Sequence, residues 1–291
     1  MTPLRKKMVE DMRLRNLRER TRGQYVNCVS VYARHHGVSP ARLGTPEVRA
    51  FLLFLVELGR TASTCVVYHA ALRFLYDVTL LRPEVMQDVP RPRVPRTKAR
   101  SPLTRDEVRT LLEAARPKPY VYTFLATALT TGLRLSELCN LRVEDIDAGS
   151  EMIHVRDGKG AKARWVKLGG RHLQLLRRYW EVERPGGPWL FPPQRMTAPG
   201  KVGPMRHWKQ SRLSVSGAHS RLRTVTRSAK LARGVTHHDL RRTYGTWLLE
   251  AGVDLRVVQV LLGHDSPETT TRYTEVRPDL IRSTPSLLDM L

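Results

Sequence analysis

The stretch LLGHDSPETTTRYTEV, residues 261–276, places His264 nine positions ahead of Tyr273 in a polar run with little to bury. A phenol is a weak nucleophile at neutral pH, because its free pKa lies near ~10. Aimed at a phosphodiester held among cations, it can still displace a sugar oxygen and become a phosphotyrosyl ester. Guanidinium groups must then sit on the non-bridging oxygens, where the transition state gathers negative charge. An acid is needed for the departing 5′ oxygen and a base for the phenol. Neither a metal nor ATP is needed, since the new ester stores the energy of the broken one, so no metal or cofactor is expected.

Groups of each required type occur along the chain. Arg134 follows a Thr131-Gly132 turn in TGLRLSEL. Lys159 lies in GKG, where a flexible cationic stem can reach a leaving oxygen. THHDLRRT supplies His238 and Arg241, three apart on one helical face and able to converge on one phosphate. Singly, each has a bland explanation. GKG is ordinary turn chemistry, a His-x-x-Arg pair is usually a surface feature, and Tyr273 could pack. A packing tyrosine wants apolar neighbours at 269–270 and 276–277, however, and only Val276 qualifies. The joint, ordered occurrence is what carries the reading.

Composition points the same way. The chain has 291 residues, 50 Lys+Arg against 27 Asp+Glu and a formal net charge of +23. Such an excess repels itself unless a polyanion neutralises it. Segment 201–235 holds nine bases and no acid, among them Lys209, Arg212, Arg221 and Arg223. The stretch 91–100 adds Arg91, Arg93, Arg96, Lys98 and Arg100, again without an acid. Solvated faces mix signs, whereas phosphate-binding faces do not, so these residues, with Arg242, are candidate DNA contacts. Three scattered cysteines with no CxxC pair argue for a reducing cytosol, without a disulfide framework or a zinc site. No apolar run approaches a membrane span, and the N-terminus lacks the apolar stretch of a signal peptide.

The elements that must hold this chemistry form two groups. Residues 1–88 read as short helices: Tyr25, Val29 and Tyr32 repeat at helical spacing, and Thr45-Pro46-Glu47 looks like a cap with Pro at the first helical position. A third helix carries Val67, Ala71, Leu72, Leu75 and Val78. Residues 89–101 form a basic, Pro-rich linker. Thr104 to Glu107 then opens residues 102–291 with a capping-box pattern. Val121 to Leu129 describe a buried helix ending at Thr131-Gly132, and SELCNL begins another. MIHVR and RWVKL, 152–156 and 164–168, predict a β-hairpin. Helices follow at about 171–182, 237–250 and 255–262, and Ser266-Pro267 starts a last one bearing Tyr273. The fold class is mainly α with a small sheet, α+β.

Four motifs, TGLRLSELCNLRVEDID, GKGAKARWVKL, HHDLRRTYGTWLLEAG and VQVLLGHDSPETTTRYTEV, make the chain resemble the tyrosine recombinase (phage integrase) family over essentially its whole length. The resemblance implies an N-terminal helical core-binding (SAM-like) domain and a C-terminal catalytic domain. It implies Tyr273 as nucleophile, Arg134 and Arg241 as clamps on the scissile phosphate and Lys159 as general acid. His238 would serve as base, His264 would hydrogen-bond a phosphate oxygen, and Glu137 would orient the site. The partners implied are double-stranded DNA sites and further copies of the chain, four protomers in a synapse, with a C-terminal tail from about 280 that packs either onto a neighbouring copy, as the resemblance implies, or in cis. Two positions depart from the common pattern. Arg242 stands where a second histidine is frequent and is expected to point outward. His237 doubles His238, and the family's spacing selects His238. A type IB topoisomerase, or a catalytically silent DNA-binding protein on the same fold, are the alternatives.

Overall fold

The computed structural model describes residues 2–95, 100–156, 163–193, 211–263 and 284–288. The chain divides into two compact units, residues 1–99 and 100–291. Among the described residues, no helix is long and apolar enough to cross a membrane.

The N-terminal unit is helical throughout. It comprises α1 (Pro3–Leu14), α2 (Glu19–His36), α3 (Thr45–Glu57), α4 (Ala62–Phe74) and the single turn α5 (Glu84–Gln87). Helix α1 starts where the Thr2 hydroxyl accepts the Arg5 amide and Pro3 fills the first turn. Helix α2 stops at Gly37, which takes the left-handed conformation. Helix α3 begins one residue earlier than the sequence suggests. Gly44 is its cap, because the Glu47 carboxylate reaches back to the Gly44 amide at 2.7 Å, and Thr45 instead donates its hydroxyl to the Val85 carbonyl. Helix α4 continues into a π-turn over Leu75–Thr79. The core joins Met8, Met12, Tyr32, Phe51, Leu72 and Leu75. At its centre the Tyr32 and Tyr76 hydroxyls lie 3.1 Å apart, and Tyr76 donates to the Pro40 carbonyl.

The C-terminal unit is built on a helix buried on every side. Helix α6 (Arg105–Ala115) carries the capping box expected at Thr104 and Glu107, both of whose hydrogen bonds are made. Helix α7 (Pro119–Thr131) follows, and eleven of its residues are buried. Helices α6, α9 (Gly170–Glu183) and α11 (His237–Glu250) pack around it. The short α8 (Leu135–Cys139) leads to a three-stranded antiparallel sheet, β1 (Ile146–Asp147), β2 (Met152–Val155) and β3 (Arg164–Lys167), in that order. The expected hairpin is β2–β3, with Ile153 opposite Val166. Helices α10 (Val215–Ser228) and α12 (Leu255–Leu262) complete the unit. Neither α10 nor the two-residue β1 was expected from the sequence. Helix α10 buries only a narrow strip, Ala218, Leu222, Val225 and Thr226, within the basic segment whose charge had drawn attention instead.

Of the tail, residues 284–288 are among those described. Leu287 is fully buried in the core of its own unit, and Thr284 and Ser286 are buried with it.

His172 is fully enclosed. It sits on α9 between two hydroxyls of α7, with Thr127 at 2.9 Å from Nε2 and Thr130 at 2.6 Å from Nδ1. A neutral ring offers one N–H and one lone pair. Thr127 also donates to the Thr123 carbonyl at 2.7 Å and Thr130 to that of Ala126 at 2.8 Å. One hydroxyl therefore accepts the ring N–H while the other divides its single proton between its carbonyl and the ring. Burial pushes its pKa down to about 3, and burial likewise pushes His237 down to about 4. In the unfolded chain both rings protonate near ~6.5. Their contribution to stability is therefore complete above that pH and declines as pH falls toward 4, by about 1.4 kcal/mol per pH unit for each ring. Melting temperature is expected to drop between pH 7 and pH 5, above the range where carboxylates titrate. His172→Gln, which cannot take up the proton, should flatten this decline. A melting temperature that is constant over that interval would contradict the assignment.

Candidate active site

The site begins where α7 ends. Gly132 closes the helix at φ +58°, and a β-carbon there would lie 2.3 Å from the Tyr244 ring of α11. Glycine alone permits both the left-handed turn and the close approach of the two helices. Two residues on, Arg134 occupies the cap position of α8, and Glu137 lies in that helix's first turn.

Glu137 is almost fully buried, yet it is ionised. Burial would raise its pKa, but the hydrogen bonds and charge of Arg164, followed by those of Arg134, outweigh that and hold the carboxyl below the usual range. Arg164 meets it two-pronged, with Nη1 to Oε1 at 3.0 Å and Nη2 to Oε2 at 2.7 Å. Arg134 contributes its amide to Oε2 at 2.8 Å and its Nη1 to Oε1 at 2.8 Å. Three further bonds go to one place, the C-terminal end of α12. Arg164 Nε donates to the Leu261 carbonyl at 2.9 Å, Arg241 Nη2 to that of Leu262, and Arg134 Nη2 to that of Gly263. Arg241 also donates Nη1 to the Gly132 carbonyl at 2.7 Å. The negative end of the α12 dipole and its unpaired carbonyls thus receive three cations in succession.

Arg134 and Arg241 are therefore brought together from elements more than a hundred residues apart, with Glu137 beneath them. Burial, then repulsion from Arg134 and Arg164, lowers the pKa of Arg241 to about 10, so it keeps its charge at neutral pH. On α11 the histidine doublet divides cleanly. His237 is buried, its ring edge-on to Phe124 at 5.5 Å and to His219 at 5.7 Å, whereas His238 is exposed on the turn that also carries Arg241. Lys159, His264 and Tyr273 lie outside the described residues, as do Arg96, Lys98 and Lys209.

The remaining basic candidates spread out. Arg91, Arg93 and Arg223 are exposed. Arg100 donates to the Gly234 carbonyl at 3.2 Å and pairs with Asp239 at 3.4 Å. Arg212 holds the Asn140 side chain at 2.8 Å. Two more candidates are likewise engaged with the protein itself. The Arg221 guanidinium lies over the Tyr120 ring at 5.1 Å and bonds the Gly217 carbonyl, while Arg242 donates to the Arg100 carbonyl.

Arg164 was not singled out in the sequence. The signal was its parity: in RWVKL it shares a face with Val166 and Leu168, both buried, so a charge there needed a buried partner.

Residues 101–279 match the model of the phage integrase family, and residues 4–84 match that of the phage integrase N-terminal SAM-like domain. The chain belongs to the phage integrase family. It is 36% identical, over its full length and 90% of the relative's, to a putative integrase/recombinase, y4qK, of Sinorhizobium fredii. It is 33% identical to the tyrosine recombinase XerA of Pyrococcus furiosus, covering 80% of this chain and 77% of the relative. The fold is similar to that of lambda integrase(75-356), in a structure of its dimer bound to a COC′ core site, with a TM-score of 0.70, 18% identity and coverage of 94% of this chain and 98% of that one. The protein is thus a tyrosine site-specific recombinase with a helical SAM-like N-terminal domain and a catalytic integrase domain.

The two glycine turns of this recombinase make a matched pair of tests. Gly132→Ala adds a left-handed strain and a clash with Tyr244. Gly252→Ala, at φ +82° with open space around it, adds the strain alone. The first should cost about 3 kcal/mol and the second about 1 kcal/mol, read from urea midpoints. Equal costs would show that the approach of α7 to α11 is looser than the structure has it.

Proposed function

We propose that the recombinase cuts and rejoins duplex DNA through Tyr273, with Arg134 and Arg241 holding the scissile phosphate. The tyrosine oxygen bonds to phosphorus as the bond from phosphorus to the 5′ oxygen breaks. His238 takes the phenol proton, and Lys159 gives a proton to the leaving 5′ oxygen. The product is a 3′-phosphotyrosyl ester and a free 5′-hydroxyl, with no net change in the number of high-energy bonds. A 5′-hydroxyl from a second duplex then attacks the ester, releases the phenol and reseals the strand. Exchanging one strand per duplex leaves a Holliday junction, and exchanging both pairs requires four tyrosines, hence four copies of the chain. His264 would supply a hydrogen bond to a non-bridging oxygen.

The observation that carries this reading is the convergence of two arginines, one held by Glu137 and the other by the Gly132 and Leu262 carbonyls, with an exposed histidine three residues from the second. Charge on the donors suits a phosphorus centre that gathers negative charge at the transition state. The basic residues left exposed, such as Arg91, Arg93 and Arg223, would supply phosphate contacts that orient the duplex, with base edges read by a minority of side chains. The reaction would take place on DNA in the cytoplasm, in the integration, excision or resolution of a mobile element.

Trapping tests it. Wild-type and Tyr273→Phe proteins are incubated with nicked duplexes from a genomic library, denatured in SDS, and the covalently held DNA is sequenced. Wild type should give an adduct enriched in one sequence, and Tyr273→Phe should give none. An adduct of equal yield from the phenylalanine variant would refute the role of Tyr273. Supplied with two copies of the recovered site, the wild-type enzyme should exchange strands between them. Relaxation of supercoils without exchange would instead identify topoisomerase-like action.

A further inference from the structure

We propose that Arg164 is a positioning residue for strand cleavage, locking Glu137, and through it Arg134, to the end of α12 that leads into His264. This rests on the reading in which Arg134 clamps the scissile phosphate.

Arg164 lies on the inward face of β3, a place where charge is costly and arginine rare. It makes three bonds there, and they join otherwise separate elements. Two reach the carboxylate of Glu137 and one reaches the carbonyl of Leu261. Glu137 Oε1 is shared between Arg164 and Arg134, at 3.0 and 2.8 Å, so displacement of one guanidinium is felt by the other. The neighbouring turn is shaped around this group. A β-carbon on Gly263 would meet Arg164 Nη1 at 3.0 Å and Cζ at 3.1 Å, so the residue before His264 has no room for a side chain. A lysine could keep the charge, but it could not present the flat fork that grips both carboxylate oxygens while also reaching a carbonyl. A buried pair that served the fold alone would be replaceable by well-packed apolar groups. A pair whose carboxylate also holds a phosphate-binding arginine would not be.

The test is a double-mutant cycle on the nicked duplex recovered by trapping, using the full-length protein. Single-turnover cleavage is measured at saturating DNA, with dissociation constant and melting temperature followed alongside. Arg164→Lys should leave DNA affinity within ~3-fold and slow cleavage on the order of 10²-fold, the cost of a misplaced catalytic group. In an Arg134→Lys background the same replacement should cost under ~5-fold, because the group being positioned is gone. Equal losses in the two backgrounds would overturn the proposal, as would a slowing abolished by raising the DNA concentration. If Arg164→Lys does not fold, Gly263→Ala perturbs the same contact from the turn side and should show the same dependence on Arg134. Absence of any adduct with wild type would overturn the proposed function and this inference with it. A wild-type adduct with additive losses would overturn this inference alone.

Discussion

A carboxylate taken almost wholly out of water must be neutralised where it stands, and Glu137 is neutralised from two directions at once. Arg134 approaches from the turn after α7 and Arg164 from strand β3. Buried ion pairs do little for net stability, because desolvation consumes most of their attraction. What they do fix is geometry, since a misaligned pair leaves an uncompensated charge. The turn after α7, the sheet and the end of α12 therefore cannot move independently, and the two arginines of the site inherit that rigidity.

The other anchor is a helix terminus. The last carbonyls of a helix lack intrahelical partners, and those of α12 are met in sequence by Arg164, Arg241 and Arg134. Gly263, in the left-handed conformation at φ +59°, turns the chain away immediately afterwards. A helix of eight residues, Leu255–Leu262, is thereby pinned at its C-terminal end by side chains from three other elements. The point at which the chain passes on to His264 is thus fixed by the same guanidinium groups that would hold the phosphate.

What the sequence disclosed follows from how much each element buries. Helix α7 is apolar on all sides, and α11 and the hairpin carry clear periodicities, so their limits were legible to within a residue or two. Helix α10 buries one narrow strip and offers Arg, Ser and His elsewhere, so its charge obscured its periodicity. Thr45 resembled a cap because Ser and Thr usually serve as one, but a carboxylate three residues on captured the Gly44 amide instead. Arg134, Glu137, His238 and Arg241 could be named from motif order and spacing, although helical periodicity alone leaves both His237 and His238 within reach of Arg241. The packing of α11 adds a physical distinction, by turning His237 toward Phe124. Arg164 was hidden differently. A basic residue in a motif as rich in Lys and Arg as GKGAKARWVKL reads as solvated unless the strand's alternation is followed through to its buried face.

The charges of the site do not balance within the described residues. Two guanidiniums grip one carboxylate with a third, that of Arg241, close by, and burial first, then repulsion from Arg134 and Arg164, lowers the Arg241 pKa to about 10. Backbone carbonyls ease this excess, but they carry only partial charges. A dianionic phosphorane-like centre would relieve the repulsion more fully than a singly charged ground-state phosphodiester does. In the proposed reaction the stabilisation would therefore grow along the reaction coordinate, which is the condition for an interaction to accelerate chemistry as well as to promote binding. Holding the cations together costs folding energy in advance, and the buried Glu137 network is what keeps that cost bearable. Without it the arginines would separate in the free protein, and the approach of the phosphate would have to reassemble them at each turnover.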